Sequence, residues 1–144
     1  MRWEMFDFAF DWFKELETSD ELIDQQHKEF FRIGRNIEQL IVRKCIGVQE
    51  QELLDIVCEL REYVSYHFYS EESIMRQQGY SDYEHHVKEH QRFKKFVMEI
   101  DCPALANQPY QELKAIKAMI QSWVFSHMMG EDVKMVKEIQ YKKH

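Results

Sequence analysis

The chain has 144 residues, 44% of them hydrophobic and 31% charged, with a formal net charge of −7. Such a length and composition suit one soluble globular domain whose core needs no disulfide staples. The acidic balance speaks against nucleic acid or an anionic membrane as partner, since both reward clustered Lys and Arg. No apolar run approaches the ~20 residues of a membrane span, and the opening MRWEMFDF lacks the basic-then-apolar pattern of a signal peptide. Cys45, Cys58 and Cys102 are odd in number and stand at no metal-ligand spacing, which suits reduced, buried or half-buried thiols in a cytoplasmic protein.

With only four Gly and two Pro in the whole length, long helices are expected and strands are not. Residues 1–17 carry Trp3, Phe6, Phe8, Phe10, Trp12 and Phe13, an aromatic arm expected to pack against the rest. Thr18-Ser19-Asp20-Glu21 has the pattern of a helix start, and the first helix runs on to about Val42. The second spans about 49–78, with Gly79 placed to terminate it. Ser81-Asp82 caps a third, reaching about Ile100. Residues 101–109 hold both prolines and read as a loop. The fourth helix starts at Pro109 or Tyr110 and continues at least to His127, with Gly130 weakening or bending it, and 138–144 reads as a tail. The expected fold is all-α: one domain over 1–144, an up-down-up-down antiparallel four-helix bundle over 18–137 with the aromatic arm before it.

Each helix has a seam alternating steps of three and four, the spacing that faces a bundle interior. The seams are Ile23, His27, Phe30, Gly34, Ile37, Ile41; then Leu53, Val57, Leu60, Val64, His67, Glu71, Ile74; then Tyr83, His86, His90, Phe93, Val97, Ile100; then Leu113, Ile116, Ile120, Trp123, His127. Five histidines and one glutamate therefore stand where leucines are expected, and burying them costs several kcal/mol unless something binds them. In an antiparallel bundle all six fall within roughly 10–15 Å of one end. His67-x-x-x-Glu71 and His86-x-x-x-His90 each put two donors on one helical face. Five neutral imidazoles exceed what one ordinary metal site takes, so two ions are the natural reading. Imidazole with carboxylate suits zinc, iron, copper or manganese. The ferritin-like carboxylate sites are disfavoured because the chain has no Glu-x-x-His pair. His85 and Glu89 lie beside the seam and read as surface residues. Glu72 reads as solvated or as a neighbour of the ligands, Glu84 as a helix-start residue and His144 as part of the tail.

The order His27, His67-x-x-x-Glu71, His86-x-x-x-His90, His127-x-x-x-x-Asp132 resembles the seven-ligand pattern of the hemerythrin family. Asp24 before His27, the His67-Phe68-x-x-Glu71-Glu72 run, Gly79-Tyr80, Trp123 before His127, and Trp12 ahead of the first helix add to the likeness, which spans about residues 10–135. The resemblance implies a non-heme di-iron centre. One iron would be held by His86, His90 and His127 and the other by His27 and His67, with Glu71, Asp132 and an oxo or hydroxo group as bridges. Dioxygen would bind at the iron left one ligand short, in a dry pocket to which Phe30, Phe68, Trp123, Val124 and Met128 are candidates. Helical periodicity alone favours Glu131, at i+4 from His127, over Asp132, at i+5. The resemblance favours Asp132 and requires the fourth helix to loosen near Gly130. It further implies a reversible dioxygen binder, a carrier, store or scavenger, rather than an enzyme. The alternatives are an oxygen or redox sensor module and, less favoured, a di-iron oxidase or peroxidase. Because the likeness fills the chain, a stand-alone cytoplasmic role is expected. Gly34 on the seam is expected to leave a gap that widens a path to the site.

Overall fold

A computed structural model describes residues 10–142, and among these every regular element is helical. A short 3-10 turn, Lys14–Leu16, precedes α1 (Glu21–Val42), α2 (Glu50–Gln78), α3 (Tyr83–Met98), α4 (Cys102–Asn107), α5 (Pro109–Trp123), a π-helical segment (Val124–Asp132) and α6 (Val133–Lys142). Among the described residues no helix is long and apolar enough to cross a membrane. α2 packs against α1 and α3, and α1 against α5.

The helix ends follow local chemistry. Asp20 caps α1 by accepting from the Ile23 amide at 3.0 Å, while Thr18 donates from both N and Oγ1 to Asp24 Oδ1 at 2.9 and 2.7 Å. Gln49 and Glu52 form a capping box at the start of α2. Gly79 stops that helix at φ 65°, where a side chain would be strained. Asp82 stands at the N-cap of α3, as the sequence suggests, but its side chain makes no capping bond there. Ser81 donates to Glu138 from N at 2.9 Å and from Oγ, and Asp82 pairs with Lys134 at 3.0 Å, so both tie the start of α3 to α6.

Two expected boundaries move. The segment 101–109 is not a plain loop: Asp101 accepts from the Ala104 amide at 3.0 Å, and Pro103 sits in the first turn of α4, where a missing N–H costs nothing. The expected tail from 138 continues α6 to Lys142, because Ile139 is buried with Ile23, Met75, Tyr80, Met135 and Val136.

Of the aromatic residues before α1, Trp3, Phe6 and Phe8 lie outside the described residues. Phe10 is buried edge-on against Phe30 and Phe31, its amide donating to the buried Glu38 at 3.2 Å, and Trp12 meets Phe31 edge-on at 5.2 Å. Gly34 leaves no gap. A Cβ there would stand 2.5 Å from Phe10 Cγ, so the glycine is the seat of the Phe10 ring. Gly34→Ala should displace that ring and destabilise the protein by about 1–3 kcal/mol, read as a lower urea midpoint at unchanged slope. An unaltered midpoint would mean that Phe10 contributes nothing to stability. The three thiols are free; Cys45 is buried, Cys102 half-buried and Cys58 exposed, the last against expectation.

The core has two apolar bodies with a polar layer between them. The larger gathers Phe30, Ile37, Leu60, Val64, Phe93 and Ile120, and the smaller is the group around Ile23, Met75 and Met135. Along α1 the order is Ile23, His27, Phe30; along α2 it is Val64, His67, Glu71, Met75. The seam histidines are thus closed off from solvent above and below.

Candidate metal centre

The structure brings His27, His67, Glu71, His86, His90, His127 and Asp132 together, each no more than 2% exposed. The π-helical segment accounts for the spacing that periodicity could not. Its i to i+5 pattern carries Asp132 onto the face of His127, whereas Glu131 turns outward, half-buried and 3.8 Å from exposed His85.

The two carboxylates divide their oxygens. Glu71 Oε1 faces His86, His90 and His127 Nε2 at 2.7, 3.1 and 3.9 Å, while Glu71 Oε2 faces His67 Nε2 at 3.0 Å. Asp132 Oδ1 faces His86 and His127 Nε2, both at 3.0 Å, and Oδ2 faces His27 Nε2 at 2.9 Å. Two donor sets result, each able to surround one ion: Glu71, His86, His90, His127, Asp132, and His27, His67, Glu71, Asp132. They share both carboxylates, and the second has one imidazole fewer.

Three of the five outward-facing ring nitrogens are held from neighbouring helices. Glu72 lies 2.8 Å from His90 Nδ1, Glu89 2.6 Å from His127 Nδ1, and Gln26 Oε1 contacts His67 Nδ1. Glu89 is therefore not a plain surface residue, although its other oxygen does reach exposed His85 at 3.0 Å. Sequence reasoning passed over Gln26 and Glu89 because each lies one helical step off its seam. The available signal was position: each directly precedes a seam histidine, so it flanks the groove and meets the next helix. Phe68 stacks on His90 and Trp123 on His127, both at 3.9 Å, and Val124, Met128 and Phe30 are buried in the larger apolar body. Tyr63, not singled out by its sequence position, stacks on His67 at 5.0 Å. A groove of about 320 Å³ lined by Gln26, Ile33, Tyr63 and His67 reaches this side of the cluster, with Glu29, Glu59 and Glu62 around it.

As protein groups alone these side chains share protons unevenly. Burial pushes the Glu71 carboxyl up, yet His67, His127 and His86 hold it well below the usual carboxylate range. Burial and Glu71 push Asp132 up, and His127 and His27 nevertheless hold it low. Burial lowers His86, but Asp132 and Glu71 raise it to about 9; Asp132 likewise raises His27 and His127. At His67 burial prevails over Glu71 and the pKa falls. Several buried atoms in the cluster, among them His27 Nε2, Glu71 Oε2, His127 Nε2 and both Asp132 oxygens, have no hydrogen-bond partner among the described residues despite these short contacts. Close approach without hydrogen-bond geometry, with Nε2 and carboxylate oxygens converging, suits cations between the groups better than protons.

Comparison with known proteins agrees. The hemerythrin HHE cation binding domain matches residues 18–139. The chain belongs to the hemerythrin family. Among its hemerythrin relatives, a bacteriohemerythrin of Campylobacter jejuni is 29% identical over 134 residues, covering 90% of this chain and 96% of that protein. Those of Clostridium acetobutylicum and Pseudomonas paraeruginosa are 25% and 26% identical, over 85% and 90% of this chain and 95% and 81% of theirs. No solved structure gives a significant match. The hemerythrin assignment implies a non-heme iron centre, and the buried His, Glu and Asp cluster can hold metal.

Proposed function

We propose that this chain holds two iron ions, one in each donor set, and binds dioxygen reversibly as a carrier, store or scavenger. The observation that carries the reading is the division of carboxylate oxygens. One oxygen of Glu71 and one of Asp132 belong to the three-histidine set, and their partners belong to the two-histidine set. Two carboxylates so placed would each offer one oxygen to either ion. His86, His90 and His127 would complete one pocket and His27 and His67 the other, leaving the second with the smaller donor set.

Held there, a ferrous pair would supply the electrons that reversible dioxygen binding requires. The chain's own contribution is positional. Glu72, Glu89 and Gln26 fix ring orientation through Nδ1, so that Nε2 of His90, His127 and His67 points inward. Phe68 and Trp123 close over His90 and His127, and Phe30, Val124 and Met128 add apolar wall; together they exclude the water that would promote irreversible oxidation. The two-histidine side, beside Tyr63 and the groove, is the side from which a small neutral ligand would approach. The same reading makes the chain one domain built as an antiparallel up-down-up-down bundle, in which α5, the π-helical segment and α6 form the fourth helix. No reaction with a second substrate is needed to account for the cluster, so a binder is preferred to an enzyme.

The test is metal content with an optical spectrum, on anaerobically reduced protein before and after air. About two irons per chain, with a charge-transfer band that appears in air and fades on deoxygenation, is the expected result. Two irons that oxidise at once with no lasting band would turn the reading towards a sensor or an oxidase. Zinc alone, in protein made with ample iron, would sink it.

A further inference from the structure

The two pockets are backed by different chemistry. In the three-histidine pocket, His90 Nδ1 meets the Glu72 carboxylate at 2.8 Å and His127 Nδ1 meets the Glu89 carboxylate at 2.6 Å. In the two-histidine pocket the one backed ring, His67, meets the neutral amide of Gln26. That amide is oriented, because its Nε2 donates to Ser70 Oγ at 3.4 Å and so leaves Oε1 for the imidazole N–H. Among the described residues His27 and His86 Nδ1 are buried without a hydrogen-bond partner, one in each pocket, so they do not offset the difference.

We propose that Glu72 and Glu89 are positioning residues that make the His86, His90, His127 pocket the tighter one and the better host for the more highly charged ion, while Gln26 keeps the His27, His67 pocket weaker. The inference rests on the di-iron reading. A carboxylate behind an imidazole N–H draws that proton towards itself, and the inward Nε2 becomes a stronger electron-pair donor. An amide oxygen fixes the ring equally well but carries no charge. Both carboxylates are largely shielded, with side chains 23% and 20% exposed, so solvent only partly screens them from the cluster. The three-histidine pocket thus gains twice: one more imidazole, and two imidazoles made more basic. The pocket with no carboxylate behind an imidazole is also the one beside the groove, so the ion facing incoming ligand is the one held less firmly.

The experiment uses the full chain loaded with two irons and follows anaerobic extraction of ferrous iron by excess bipyridine. Wild type should release iron in two phases of equal amplitude. Glu72→Gln and Glu89→Gln keep an oxygen to accept the ring N–H but remove the charge, so each should accelerate the slow phase on the order of tenfold and leave the fast phase alone. Gln26→Glu should slow the fast phase. A merely structural crosslink would survive the amide replacements, and then neither phase would move. Single-phase release from wild type, acceleration of the fast phase by Glu89→Gln, or no change in any variant overturns the proposal while the di-iron reading stands. Failure of wild type to take up two irons overturns the di-iron reading itself, and this inference with it.

Discussion

Glu71→Ala should remove both irons, whereas His86→Ala should empty chiefly one pocket and His85→Ala neither. Glu71 stands in both donor sets, with one oxygen towards His86, His90 and His127 and the other towards His67. Without it the first set falls to three imidazoles and Asp132, and the second to two imidazoles and the same aspartate. The loss is electrostatic as well as geometric. A buried ion keeps its place only if buried counter-charge remains, and half of the carboxylate charge between the pockets goes with Glu71. His86 touches the same carboxylates but belongs to one set, so its removal leaves His27, His67, Glu71 and Asp132 complete. His85 is 49% exposed at its side chain and in neither buried set. Iron per chain after reconstitution, checked by calorimetric or absorbance titration, should therefore fall in the order wild type and His85→Ala, then His86→Ala, then Glu71→Ala. In metal-free protein Glu71→Ala should also lower stability by about 3–5 kcal/mol, because raised histidines lose their counter-charge. Equal iron in the Glu71→Ala and His86→Ala proteins would mean that Glu71 does not bridge.

Why the six seam residues were legible, and others not, has a physical basis. A histidine or glutamate at a position that helical periodicity assigns to the interior is informative, because burial without a partner is costly. Periodicity assumes an unbroken α-helix, however. It placed His127 correctly and then pointed to Glu131, since nothing in the three-to-four step encodes the nine-residue π-helical segment that moves Asp132 onto the face. Only the family resemblance supplied Asp132. The partners of the outward nitrogens fell just outside the seams, where polar residues are ordinarily solvated, so Glu89 read as surface. Gly34 shows the same limit for packing. The seam told that it faces inward, but not that a ring from the segment before α1 would fill the space. Asp101 and Pro103 are signals of a helix start as much as of a loop.

Metal-free and iron-loaded protein should respond to pH with opposite slopes. In the metal-free chain Glu71 and Asp132 are held low, so their contribution is present above the ordinary carboxylate range of about 4 and is lost as pH falls through their depressed folded values. His27, His86 and His127 are held high, so theirs is present below about 6.5 and is lost as pH rises through their folded values, which for His86 is about 9. His67, shifted down by burial, works the other way but alone. Metal-free protein should thus be most stable near pH 5–6 and weaken steadily from pH 6.5 to 9. Iron reverses the sign, because each ligating Nε2 must give up its proton and binding releases those protons to solution. The stabilisation iron confers should grow across that same interval and vanish on acidification, with iron lost below about pH 4. Thermal midpoints of the two forms, taken by circular dichroism from pH 5 to 9, should draw together at the acid end and part towards the alkaline end. Parallel curves would show that the imidazoles do not exchange protons for iron, and would remove the cluster from the account of how the protein is held together.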